Sequence, residues 1–195
     1  MKFGKDLALN MVAKWEVYYI DYESLKLILH KGQTTEIKVE FRSRLAVELE
    51  KVSGFHLKQV AEFEAKIEGR KNRAAASPED AYTASDSHYE VFRDLSDLKT
   101  FGWINAEGFR KIMKKFDKMM SLRGTDDQEA PAFEATLREL PFMSAQIQGL
   151  LDSLKQDKKW NFKILSGTAN LPLAVRAPPS RILPQTYICV ATHVT

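Results

Sequence analysis

A chain of 195 residues with 44% hydrophobic and 28% charged residues has the balance of a globular domain with a core, which excludes global disorder. Its net charge of +3, from 29 Lys and Arg against 26 Asp and Glu, is too small to imply a nucleic-acid binder, so the placement of the charges must decide. A lone cysteine, Cys189, excludes a disulfide framework and a cysteine zinc site. No apolar run approaches the ~18 residues of a membrane span, and Met1-Lys2-Phe3-Gly4-Lys5 lacks the apolar stretch of a secretory signal. Together these features predict a cytoplasmic chain with no transmembrane segment.

The predicted architecture is all-α. Residues 1–35 read as a helical hairpin whose turn lies at Asn10 to Trp15. Its second helix starts at Asp21, whose carboxylate can accept from the free N–H groups of a first turn. Leu25, Ile28 and Leu29 then share one face. From about Glu36 to Arg70 there is no Pro and a single internal glycine, Gly54. Phe41, Leu45, Leu49, Val52, Val60, Phe63 and Ile67 recur there at three- or four-residue steps or their multiples, the apolar stripe of one long helix. Such a helix spans roughly 50 Å and needs a partner of similar length, so a bundle with two long helices is expected over residues 36–160. Residues 71–86, with Ala74-Ala75-Ala76-Ser77-Pro78 and small and acidic residues after it, read as a mobile surface loop. Helical pattern resumes around Tyr89 with Val91, Phe92, Leu95 and Leu98. Asn105 reads as the N-cap of a further helix running to about Leu122 and stopped by Gly124. An acidic loop from Thr125 to Pro131 precedes one or two helices between Ala132 and about Lys158. Residues 1–165 thus make one domain. Residues 166–195 are Pro-rich and read either as a disordered tail, with a possible short strand at Gln185 to Thr192, or as the stub of a following domain.

Gly108 to Lys118 carries the strongest chemical signal. On a helix, Lys111, Lys114, Lys115 and Lys118 fall within an arc of roughly 100°. Phe109, Ile112, Met113, Phe116, Met119 and Met120 occupy the opposite side. Lys111–Lys115 and Lys114–Lys118 are like-charge pairs at i,i+4, each costing about 0.2–0.5 kcal/mol. The stripe contains no carboxylate, and Asp117 points away from it. Helix stability does not explain this arrangement, which leaves an anion-binding stripe and a merely solvated face as alternatives. Tyr22 and Lys26 share a second face, off the core, where a hydroxyl and an ammonium suit one phosphate group. Lys2 and Lys5 stand at the first helix, whose N-terminus favours phosphate through its free N–H groups and dipole. Taken alone, an exposed pair accounts for Tyr22 and Lys26 equally well.

The combination resembles a known family. Met1-Lys2-Phe3-Gly4-Lys5, Trp15 and Tyr19-Ile20-Asp21-Tyr22-Glu23-Ser24-Leu25-Lys26 are similar to the opening of an SPX domain. Phe109-Arg110-Lys111-Ile112-Met113-Lys114-Lys115-Phe116-Asp117-Lys118 resembles that family's lysine-rich helix, and Phe41 to Phe63 its first long helix. The resemblance covers about residues 1 to 160. It implies an N-terminal helical hairpin packed on a bundle with two long helices. It also implies a surface that binds inositol polyphosphates and inositol pyrophosphates and regulates a protein partner or a fused effector according to phosphate status. Carried over position by position, the phosphate-binding cluster falls on Tyr22, Lys26 and Lys114, the surrounding lysine surface on Lys111, Lys115 and Lys118, and the N-terminal lysine on Lys2. The second domain usual in the family, a transporter, phosphodiesterase, polymerase or ubiquitin ligase region, is not visible in the sequence.

Competing classes find less support. His30, His56, His88 and His193 make no metal-spaced pair, Cys189 lies in the Pro-rich tail, and no GxxxxGK[ST] loop occurs. No catalytic residue, metal ligand or cofactor is therefore assigned. The lysine helix lacks an Arg, Asn and Gln set placed for base edges, so no nucleic acid is expected as partner. A helical scaffold with solvated lysines is the alternative to the sensor reading.

Overall fold

The computed structural model describes residues 3–76, 80–121 and 128–156, with the backbone alone at 71, 73–76 and 80–88. Every regular element among these residues is helical, as the all-α reading requires. In chain order they are α1 (Phe3–Asn10), a 3-10 segment (Ala13–Tyr18), α2 (Tyr22–His30), α3 (Thr35–Ala76), α4 (Asp80–Ser121), α5 (Ala130–Arg138), a second 3-10 turn (Pro141–Met143) and α6 (Gln146–Gln156). The apolar stripe of α3 finds the long partner it needs in α4, each of 42 residues. Phe41 stacks on Phe116 at 4.7 Å and Phe55 meets Phe101 at 5.0 Å, so the two helices run antiparallel. Phe41, Phe63, Phe101, Phe109 and Phe116 are fully buried, and burying each such ring stabilises the fold by about 1.5–3 kcal/mol.

The N-terminal hairpin sits on the middle of this pair. Trp15 packs edge-on against Phe55 and Phe101, Tyr19 against Phe101, and Tyr18 stacks on Phe55 at 4.1 Å. Leu25, Ile28 and Leu29 of α2 are buried together, as their spacing predicts. The link between α1 and α2 is longer than the Asn10–Trp15 turn expected from the sequence. It runs to Asp21 and buries Trp15 and Tyr19 in the core, while Tyr18 covers Phe55 from the exposed side.

Three sequence expectations are corrected. First, the loop expected at 71–86 is mostly helix: α3 continues to Ala76 and α4 begins at Asp80, leaving only 77–79, with Pro78, outside the described residues. Before Pro78, Lys71, Arg73 and Ala74-Ala75-Ala76 are strong helix formers, and that propensity outweighs the small, polar look of the segment. Second, the helices expected at Tyr89 and Asn105 are one. Third, Asn105 is therefore not an N-cap. It lies inside α4, fully buried, with its Nδ2 donating to the Phe101 carbonyl at 2.8 Å.

After α4, α5 starts at Ala130 with Pro131 in its first turn, where a missing N–H costs nothing. Leu137 of α5 and Ile147, Leu151 and Leu154 of α6 supply buried apolar contacts. Lys2, Gly124, Asp126, Asp127, Cys189, His193, the tail 166–195 and its expected strand lie outside the described residues. Among the described residues no helix is long and apolar enough to cross a membrane.

Candidate functional site

Asp21 sets the start of α2. Its Oδ1 accepts from the Ser24 N–H at 3.0 Å and its Oδ2 from the Ser24 hydroxyl at 2.6 Å, the cap expected from the sequence. Burial opposes the charge of Asp21, but Ser24, Arg44 and Lys51 outweigh it and hold the carboxyl below its usual range. The cap puts Tyr22 on the first residue of α2 and Lys26 one turn further on. The Tyr22 ring packs edge-on against Phe3 of α1 at 5.0 Å. Burial, with the charge of Glu23 adding to it, pushes the Tyr22 phenol up, so the group stays a neutral hydroxyl donor. The Lys26 ammonium pairs with Glu23. The Glu23 carboxylate also lies against Gly4, where a Cβ would overlap its oxygen and turn the flexible glutamate side chain aside. Lys5 is exposed on that helix.

The lysine helix meets the hairpin at Phe3. The Lys111 ammonium lies over the Phe3 ring, 4.7 Å from its centroid. Phe3 is thus in contact with Tyr22 and with Lys111. The close approach depends on Gly108, where a Cβ would stand 2.9 Å from Ile20 Cγ2 and 3.3 Å from Phe3 Cε1. Lys114 and Lys118 are exposed and Lys115 is half-buried on the following turns. The opposite face of the helix is core, with Phe109, Ile112, Met113, Phe116 and Met120 all buried, as its pattern predicts.

The expectation of a stripe without carboxylates is corrected. Glu107, on the preceding turn, binds Arg110 Nε and Nη2 at 2.7 and 2.6 Å and lies 3.4 Å from the Lys111 ammonium. Burial works against its charge, yet Arg110 and Lys111 hold its carboxyl below the usual range, and Glu107 in turn raises Arg110. Glu134 comes from α5, with Oε1 3.2 Å from Lys114 Nζ and 4.0 Å from Arg110 Nη1. Helix α5 is anchored there by Asp117, which accepts from the Glu129 and Ala130 N–H groups at 3.0 and 2.8 Å. Asp117 therefore does face away from the lysines, and it caps α5. Arg110 was a cation legible in the sequence, four residues before Lys114. Glu107 had the same i,i+4 signal toward Lys111, whereas Glu134 had none, because its proximity is tertiary.

Two buried side chains hold the approach to Tyr22. The Ile20 N–H donates to Asn105 Oδ1 at 2.8 Å, and the Asp21 N–H to Glu48 Oε2 at 2.9 Å. Glu48 is 1% exposed and is neutralised by Arg44 at 2.9 Å and Lys51 at 2.6 Å. A buried carboxylate with two cations and a backbone donor has its bonding satisfied.

The chain is similar to known proteins on these same elements. The SPX domain family model matches residues 69–127, which include the lysine helix. An SPX domain-containing membrane protein of Oryza sativa subsp. indica is 31% identical over 140 residues, 65% of this chain and 20% of that protein. Vacuolar transporter chaperone complex subunit 2 of Schizosaccharomyces pombe is 28% identical over 170 residues, 77% of this chain and 22% of that protein. The chain therefore spans about a fifth of the length of the curated relatives it matches. Among solved structures, the SPX domain of Chaetomium thermophilum glycerophosphodiester phosphodiesterase 1, in complex with inositol hexakisphosphate, superposes with a TM-score of 0.68 at 27% identity. The match covers 82% of this chain and 97% of that one.

Proposed function

We propose, from the premise that this chain belongs to the SPX domain family, that it binds inositol polyphosphates and inositol pyrophosphates and reports phosphate status to a partner protein or fused effector. The observation that carries the reading is the junction at Phe3, in contact with Tyr22 of the hairpin on one hand and Lys111 of the lysine helix on the other. One ligand can then lie across both elements. Tyr22, Lys26 and Lys114 are the proposed phosphate-binding cluster and Lys111, Lys115 and Lys118 its surrounding lysine surface; Lys2, outside the described residues, is proposed as a further ligand group from the sequence resemblance. The fold-level likeness to a domain in complex with inositol hexakisphosphate supports the ligand class.

The chemistry is charge complementarity without a covalent step. Lysine ammonium groups are flexible point charges with three donors each, and the neutral Tyr22 hydroxyl adds a directional donor. Charge-assisted hydrogen bonds contribute about 1.5–3 kcal/mol apiece. Four or five of them, less the costs of ordering and desolvation, reach the ~8 kcal/mol of a micromolar complex. Orthophosphate touches only a few of these groups and binds far more weakly. The ligand has internal rivals, since Glu23, Glu107 and Glu134 already pair with Lys26, Lys111 and Lys114. Only a ligand with many phosphates offers enough charge to displace them together. In the curated relatives the matched part is joined to a much longer remainder, which suits a domain that regulates an effector.

Calorimetric titration of the chain with inositol hexakisphosphate at physiological ionic strength tests the reading. The expected result is micromolar binding that collapses in the Lys114→Ala, Lys118→Ala double variant. A folded wild type that takes up no ligand overturns it in favour of a scaffold with solvated lysines.

A further inference from the structure

We propose that Asn105 and Gly108 are positioning residues that set the spacing between α2 and the lysine helix, and so decide whether one polyphosphate reaches both. The inference rests on the polyphosphate reading of this surface and adds residues that touch no ligand.

The argument starts from the backbone at Ile20 and Asp21. These residues precede α2, so their N–H groups have no place in a helical ladder. Both are taken up by buried side chains, one from each long helix: Asn105 of α4, 0% exposed, and Glu48 of α3, 1% exposed. Asn105 reaches across 85 residues of sequence to do so. It stands on the same helix as Lys111, less than two turns away. The Ile20–Asn105 bond therefore links the residue two before Tyr22 to the helix that carries the lysines. Gly108, between Asn105 and Lys111, sets the separation. Ile20, itself buried, already lies where an added Cβ would be 2.9 Å away, closer than carbon atoms pack. Hydrogen bond and contact act on the same residue, Ile20, the first fixing its register along α4 and the second its distance from it. Sliding the hairpin would leave a buried N–H without a partner. The phosphates of an inositol ring are held at set separations, and the Tyr22 hydroxyl stands on a rigid ring packed against Phe3, so a displaced hairpin carries this donor out of line, whereas the flexible lysines of α4 still bind.

The test is a set of double-variant cycles read by calorimetric titration with inositol hexakisphosphate, with thermal unfolding beside it. Asn105→Leu keeps the number and branching of the side-chain heavy atoms and removes the acceptor. Gly108→Ala adds the Cβ; the helix-propensity gain of about 1 kcal/mol offsets part of the roughly 1–3 kcal/mol cost of the overlap, so the variant is expected to stay folded with at most a modest fall in melting temperature. Each variant is expected to weaken binding by about tenfold, the loss of one charge-assisted contact. In a Tyr22→Phe, Lys26→Ala background, where both hairpin contacts of the cluster are removed, neither adds a further loss, while in a Lys118→Ala background both losses add in full. A full additional loss in the Tyr22→Phe, Lys26→Ala background, or unchanged affinity in Gly108→Ala, overturns the proposal while leaving the binding function intact. A folded wild type that does not bind overturns the function and the proposal together.

Discussion

His56 makes the fold sensitive to mild acid. It lies on α3, 1% exposed, with the Phe142 ring 6.5 Å away and no hydrogen-bond partner for either ring nitrogen among the described residues. Burial alone pushes its imidazole from 6.5 down to about 4. The folded state therefore holds the ring neutral between these values, while the unfolded chain takes up a proton below 6.5. Over that window the unfolded state binds more protons, so stability falls as pH falls and levels off near the folded value. At about 1.4 kcal/mol per pH unit, the full gap is worth about 3 kcal/mol, and about 2 kcal/mol of it is lost between pH 7 and about pH 5. Urea unfolding followed by circular dichroism at the two pH values measures this loss directly. The His56→Leu variant, which buries no imidazole, is expected to show little of it and to be the more stable protein at the lower pH. A wild type and a His56→Leu variant with equal pH dependence would refute the reasoning.

Two further outcomes follow from the ion pairs. Glu134→Gln removes the α5 carboxylate beside Lys114 and is expected to raise affinity for inositol hexakisphosphate about two- to fivefold, the scale of an exposed ion pair; calorimetry that finds no gain would mean that the ligand does not compete there. Glu48→Ala leaves the Asp21 N–H without its acceptor and two cations without their buried partner, and is expected to lower unfolding stability by about 3 kcal/mol in urea titrations.

The parts of the fold governed by local rules were legible in the sequence. The Asp21 cap involves residues three apart, the α3 stripe repeats at helical spacing, and the lysine face of α4 needs only its own period. The continuity of α4 was hidden because Asn105 has the chemistry of a cap. Its side chain instead serves Ile20, far away in sequence, and the helix runs on through it. The segment 71–86 was misread for the opposite reason: its composition looks loop-like, yet the residues before Pro78 have strong helical propensity. In the site, the cations were visible, and so were the local carboxylates Glu23 and Glu107, three and four residues from their lysines, but Glu134 was not. The partnership of Glu134 with Lys114 and the contact of Phe3 with Lys111 exist only once α5 and α1 have packed against α4. Lysine at a regular period announces a charged face, but only tertiary structure adds the carboxylate of another helix, Glu134, to those a ligand must displace.

Hydrogen exchange with and without inositol hexakisphosphate tests most directly whether the hairpin and the lysine helix form one site. A bridging ligand slows exchange in both the first turns of α1 and α2 and the 108–118 turns of α4, and the Tyr22→Phe, Lys26→Ala double variant abolishes the slowing in the hairpin. Protection confined to α4, or found on neither element at saturating ligand, would contradict a composite site.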